Sequence, residues 1–124
     1  MGIETHDGFS SFVAGGALGE GIRVKLSAGK LAAAGVSDGL IEIGTMYEPA
    51  FADGDVKTVR LKNAPGVRKM VSGAAVSAAG VAAYAAASGK VASAVTSAYV
   101  GVFLEAVGGA DQFVSVMSIG CPII

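Results

Sequence analysis

The run from Gly73 to Val91, GAAVSAAGVAAYAAASGKV, limits the fold more than any other stretch of the chain. It has no charge before Lys90 and little bulk beyond Val76, Val81 and Tyr84. Alanine favours helix, and the uncharged span from Val71 to Gly89 approaches the length of a membrane-crossing helix. Gly73 and Gly80 interrupt that span, serines are scattered through it, and strongly apolar side chains are too few for insertion. The spacing instead predicts a turn near Ala78-Ala79-Gly80, a short strand through Val81, Ala83 and Ala85, and a turn at Ser88-Gly89-Lys90. Small-residue β structure is the preferred expectation, with helix as the alternative.

Glycine extends that expectation to the whole chain. Nineteen glycines in 124 residues supply many tight turns, which suit short strands better than long helices. Ile22-Arg23-Val24-Lys25-Leu26 alternates with period two, apolar side chains inward and charged ones outward. Leu40 to Tyr47 forms a second strand that Pro49 stops. Val56 to Lys62 and Val67 to Val71 flank the turn signal Asn63-Ala64-Pro65-Gly66, which predicts a hairpin. Tyr99 to Ala106 follows, and then Phe113 to Met117, apolar on both faces as in a central strand or a subunit contact. Residues 21–124 are therefore expected to form a single all-β domain, a small barrel or sandwich of short strands. Residues 1–20 have no sustained period and read as a flexible N-terminal arm, in which Phe9, Phe12 and Val13 are anchors for a neighbour or for the domain itself. No internal repeat is visible at this level.

Composition narrows the function. The hydrophobic fraction of 52% overstates the core, because alanine supplies much of it, and there is no Trp. Oligomerisation would add buried area to so thin a domain. A net charge of −1 and a pI near 5.7 argue against a dedicated nucleic-acid binder. Yet Lys57, Arg60, Lys62, Arg68, Lys69 and Lys90 lie between Val56 and Leu104 with no acid among them. Such a one-signed region suits an acidic partner surface, or is simply the solvated face of a sheet. The N-terminus has no basic region followed by an apolar run, so a cytoplasmic product and no membrane association are expected.

The search for chemistry finds no catalytic set and no cofactor or metal site. His6 is the single histidine and lies in the arm, and the single thiol, Cys121, has no histidine near it in sequence. Asp53 and Asp55 flank Gly54, and Asp38 precedes Gly39, as turn formers rather than as a calcium loop. Gly15 to Gly21 lacks the ending of a phosphate loop, and Gly89-Lys90-Val91 lacks its hydroxyl residue. Lys69-Met70 echoes half of a biotin-acceptor motif, which leaves a small biotin- or lipoate-type carrier domain as the alternative function.

The segment Ala75-Val76-x-Ala78-Ala79-Gly80-Val81-x-x-Tyr84, the turn Gly89-Lys90-Val91 and the strand Gly101 to Ala106 resemble the capsid cement, or head decoration, proteins of tailed bacteriophages. Gly54-Asp55-Val56, Val59-Arg60-Leu61 and Ala64-Pro65-Gly66 fall where such chains have comparable pieces, and the similarity runs from about Gly21 to Met117. The resemblance implies a non-enzymatic structural protein of the virion. It would bind the outer capsid surface across joints between major capsid protein subunits, as a homotrimer, and stabilise the head. Phe9, Phe12 and Val13 are then candidates for shell or neighbour contacts, and Arg60, Lys62, Arg68 and Lys69 for an electrostatic contact with the shell.

Overall fold

In the computed structural model, residues 8–62, 64, 66–96 and 98–118 are described. His6, Cys121 and the apolar tail from Ile119 lie outside them, as do Asn63 and Pro65 of the expected turn. The fold is all-β. Among the described residues ten strands form two antiparallel five-stranded sheets: β1 Phe9–Val13, β2 Arg23–Ser27, β3 Lys30–Ala33, β4 Glu42–Met46 and β5 Val56–Leu61 in the first, and β6 Val67–Val71, β7 Ala82–Ala85, β8 Val91–Ala92, β9 Tyr99–Phe103 and β10 Phe113–Ser118 in the second. One three-residue 3-10 turn, Ala87–Gly89, lies between β7 and β8. No helix among the described residues is long and apolar enough to cross a membrane. The stretch from Gly73 to Val91 is thus strand and turn, as its glycines and serines predict, with β7 carrying Ala83 and Ala85 into the core.

The two sheets have the same topology. Their orders are β1-β5-β4-β2-β3 and β6-β10-β9-β7-β8, so that each strand of the first half has its counterpart five places later. The finer details repeat as well. A bulge interrupts β2–β4 after Val24 and β7–β9 after Ala83. Single parallel bridges join Ala14 to Leu31 and Ser72 to Val91, and antiparallel ones join Leu18 to Ala50 and Val76 to Val107. The Glu48 carboxylate accepts the Thr58 amide at 3.0 Å, and the Glu105 carboxylate accepts the Ser115 amide at 2.9 Å. The chain is an internal repeat of residues 8–62 and 66–118. Each sheet curls until its outer strands meet at the parallel bridge, without a ladder to close a barrel.

Each half builds its own core. Val24, Leu31, Met46 and Val59 centre the first, packed by Phe12, Leu18, Ile22, Ile43 and Leu61. Met70, Val76, Val91, Phe103, Val114 and Val116 centre the second. Two expectations give way here. The strands Val56 to Lys62 and Val67 to Val71 do not form a hairpin, because β5 is held between β1 and β4 while β6 pairs with β10 in the other sheet. From residue 8 onward the expected arm is part of the first sheet, with β1 in register along β5 from Phe9↔Arg60 to Val13↔Val56.

A buried charge cluster joins the halves. Arg23, Glu42 and Arg68 are 0%, 4% and 2% exposed. One Glu42 oxygen accepts from Arg68 Nη1 at 2.7 Å and the other from Arg23 Nη1 at 3.4 Å. The remaining Arg23 donors cross to the second half, Nη2 to the Ala86 carbonyl at 2.9 Å and Nε to that of Lys90 at 3.1 Å. Burial pulls the Arg23 guanidinium below its ordinary pKa, while Glu42 pushes it back up. Arg23 was expected on the outer face of its strand. It points inward because this strand end faces the second half, where the Ala86 and Lys90 carbonyls, together with Glu42 of its own sheet, replace its water.

Loop carboxylates shape the acid stability. Asp38 accepts from Lys25 Nζ at 2.9 Å and from the Gly35 amide at 2.7 Å. Asp55 accepts the amides of Phe51 and Ala52 at 2.9 and 3.1 Å. The Lys25 bond holds Asp38, the Phe51 amide holds Asp55, and the Thr58 amide holds Glu48, below their ordinary pKa values. A carboxylate whose pKa is lower folded than unfolded contributes stability above its unfolded value, and this is lost as pH falls through the folded one. The midpoint of urea unfolding is therefore expected to be insensitive to these groups between about pH 6 and 8 and to fall below about pH 4. Asp38→Asn should shrink the acid limb of that profile.

Candidate interaction surface

Strand alternation on β1 and β5 sorts the side chains of the first sheet. Phe12 and Val59 face the core, whereas Phe9, Ser11 and Val13 lie on the outer face beside Arg60, Thr58 and Val56. Tyr47, just after β4, joins this face because its amide bonds to the Thr58 carbonyl at 3.1 Å. The rings of Phe9 and Tyr47 meet edge to face with centroids 4.8 Å apart, and the Arg60 guanidinium stands 5.8 Å from the Phe9 centroid. Phe9, Tyr47, Glu48 and Thr58 line a shallow open cleft of about 400 Å³. The cleft has an aromatic wall, a guanidinium at its edge and a carboxylate, a composition that suits a protein surface.

Large apolar side chains are exposed in both halves, among them Val13, Leu26, Val67, Val95, Tyr99 and Leu104. Tyr47 is exposed at the cleft, Val56 on the same face of β5 as Thr58, Phe51 in the loop before β5, Leu40 and Ile41 in the loop before β4, and Phe113 and Met117 on β10.

The basic residues fare differently from one another. Arg68 is inside the chain, bound to Glu42, so the expectation that it faces a shell is corrected: its guanidinium is spent on holding the halves together. Lys69 is exposed, but its ammonium pairs with Glu20 at 2.5 Å and stands 4.7 Å from the Phe113 centroid. Lys62 donates to the carbonyls of Gly39 and Leu40 at 3.2 and 3.4 Å. Arg60 alone of the four lies beside the cleft. Of the three apolar candidates, Phe9 and Val13 are on the outer face while Phe12 packs onto the first core. Tyr47 and Glu48 were not singled out from sequence. The signal available was the pairing of an aromatic with a strand end just before Pro49.

Among the described residues no three His, Cys, Asp or Glu side chains gather as metal ligands. Lys69 lies in the middle of β6 rather than at a hairpin tip, unlike the presented lysine of the carrier reading.

No family model matches the chain, and no curated protein matches it in sequence. A search of solved structures finds a likeness that spans both halves. The chain is similar in fold to the crystal structure of the head fiber gp8.5 N base in bacteriophage phi29, with a TM-score of 0.72 and 15% identity over 94% of this chain and 98% of that one.

Proposed function

We propose that the protein is a non-enzymatic structural component of a tailed-phage head, a cement or decoration protein. It binds the outer surface of the assembled capsid across joints between major capsid protein subunits and stabilises the shell. The supporting observation is the fold likeness, which extends over nearly all of this chain and of the base of a phage head fiber. The aromatic cleft formed by Phe9 and Tyr47 supplies a surface of the right kind. A ligand that binds the assembled shell and not its separated subunits stabilises the shell by mass action, and many symmetry-related copies multiply the effect. A homotrimer on the virion exterior is the arrangement that the resemblance implies.

The test is co-sedimentation with mature capsids that lack the protein. Saturable binding, with capsids that then survive greater heat, is the expected result. Replacing both Phe9 and Tyr47 with alanine is expected to lower occupancy by about tenfold or more, as for aromatic anchors at interface centres. Binding through Arg60 should weaken as salt rises. Absence of binding to capsids would return the chain to a β-rich binding module without a known partner.

A further inference from the structure

The repeat makes the two halves comparable residue by residue, and the comparison shows that each half meets its neighbour on one side only. In the first half, Glu20-Gly21-Ile22-Arg23 is the segment turned toward the second. Glu20 pairs with Lys69. A Cβ placed on Gly21 would lie 3.3 Å from Val71 Cγ2, from Phe113 Cε1 and from the Lys69 carbonyl. In the second half, the turn at Gly89 receives this segment so tightly that a Cβ there would collide with Ile22 and with the Arg23 backbone.

The counterparts of these groups have no such cover. Topology matches Gly21 with Gly80 and Gly89 with Gly29, and all four have positive φ. Gly21 and Gly89 are buried, whereas Gly80 and Gly29 are exposed with nothing within 4 Å of an added Cβ. Val71, Phe113 and Ala98, which border the junction from the second half, correspond to Val13, Val56 and Ile41 in the first. Those three are 37%, 64% and 55% exposed, against a half-buried Val71, a Phe113 that is itself 53% exposed and a buried Ala98, so the difference in cover rests on Val13, Ile41 and the two glycines. The second half therefore presents an unused copy of the donor segment at Ala79-Gly80-Val81, and the first half an unused copy of the receiving face at Ser11, Val13, Val56 and Gly29.

We propose that a second copy of this chain docks there, head to tail, with the Ala79-Gly80-Val81 turn of one copy seated on the Val13–Val56 face of the next. The contact continues the junction already made inside the chain. It buries the apolar groups of the first sheet that the intrachain junction leaves in water, and both surfaces are free on the same molecule, as a heterologous contact requires. The match is not complete, because Arg23, Glu42 and Arg68 correspond to Ala82, Tyr99 and Ser10, so the contact between copies lacks the buried ions. It is the more apolar of the two junctions, and it needs no charge to be desolvated.

Light scattering on the full chain is expected to show particles heavier than one chain. In a Cys121→Ser background, Ser11→Cys and Ala79→Cys, the counterparts of Lys69 and Glu20, should form disulfide-linked dimers when mixed under mild oxidation. Neither should do so alone. Ala79→Trp, at an exposed turn, should leave the circular dichroism spectrum unchanged and weaken association by about tenfold or more, the equivalent of ~1.4 kcal/mol. A monomer at all concentrations would overturn the proposal. So would cross-linking by Ser11→Cys alone, which would mean a two-fold contact between like faces.

Discussion

Replacing Glu42 with alanine is expected to lower the unfolding free energy by about 3–5 kcal/mol, because two buried guanidinium groups then lose the carboxylate that neutralises them. Glu42 bridges Arg23 and Arg68, and Arg23 also holds two carbonyls of the second half. The loss is thus felt at the junction rather than inside either core. Urea denaturation followed by circular dichroism should show the midpoint fall steeply. A replacement of all three ions by apolar groups of similar size, Arg23→Met, Glu42→Leu and Arg68→Met, should recover most of the loss, since no charge is then left buried and unpaired. Recovery by the triple variant separates the cost of an orphaned charge from the worth of the ion pairs themselves. A midpoint for Glu42→Ala within experimental error of the native protein would show that water enters the junction and solvates the arginines.

Phe103→Ala is the second large effect expected. Phe103 is completely buried in the second core, and removing a phenylalanine from such a place costs about 3–5 kcal/mol. Few large side chains share the load there, since alanines supply much of the packing, as at Ala83, Ala85 and Ala98. The surrounding strands have little freedom to collapse into the space. The two cores are separate clusters, so the damage should be local. Hydrogen exchange is expected to speed first in β6 to β10 while β2, β4 and β5 keep their protection. Equal loss of protection in both sheets would mean that the junction couples the halves into one cooperative unit.

Much of the strand pattern was legible in the sequence. Alternation placed β2, the turn signal from Asn63 to Gly66 bounded β5 and β6, an apolar run marked β10, and glycine with aspartate placed the turns at Gly39 and Gly54. The reading of Gly73 to Val91 as strand and turn rested on the same physics, since glycine and serine interrupt a helix that alanine alone would favour. Pairing was not legible. Proximity in sequence suggested that β5 and β6 form a hairpin, but the halves repeat, and the turn between β5 and β6 is the joint between two units. The repeat had left a trace: Gly21-Ile22 and Gly29-Lys30-Leu31-Ala32 recur as Gly80-Val81 and Gly89-Lys90-Val91-Ala92. Alanine-rich drift in the second half hides the rest, because Arg23 and Val24 correspond there to Ala82 and Ala83. The surface was legible in part. Phe9, Val13 and Arg60 reach the outer face, but the inward turn of Arg68 depends on Glu42, which only the fold brings near.

The order of strands along the chain has a consequence for how the protein is made. β1 to β5 all precede β6 in the chain, and every hydrogen-bonded neighbour in the first sheet comes from the first half. Neither sheet borrows a strand from the other. The first half is able to condense around Val24, Leu31, Met46 and Val59 while the second is still within the ribosome, as chains that fold unit by unit do. Arg68 of β6 completes a cluster whose other two members, Arg23 and Glu42, both belong to the first half. The nascent first half thus serves as the template against which the second is set, and the alanine-rich partner, poor in large side chains of its own, folds with a neighbour present from the start.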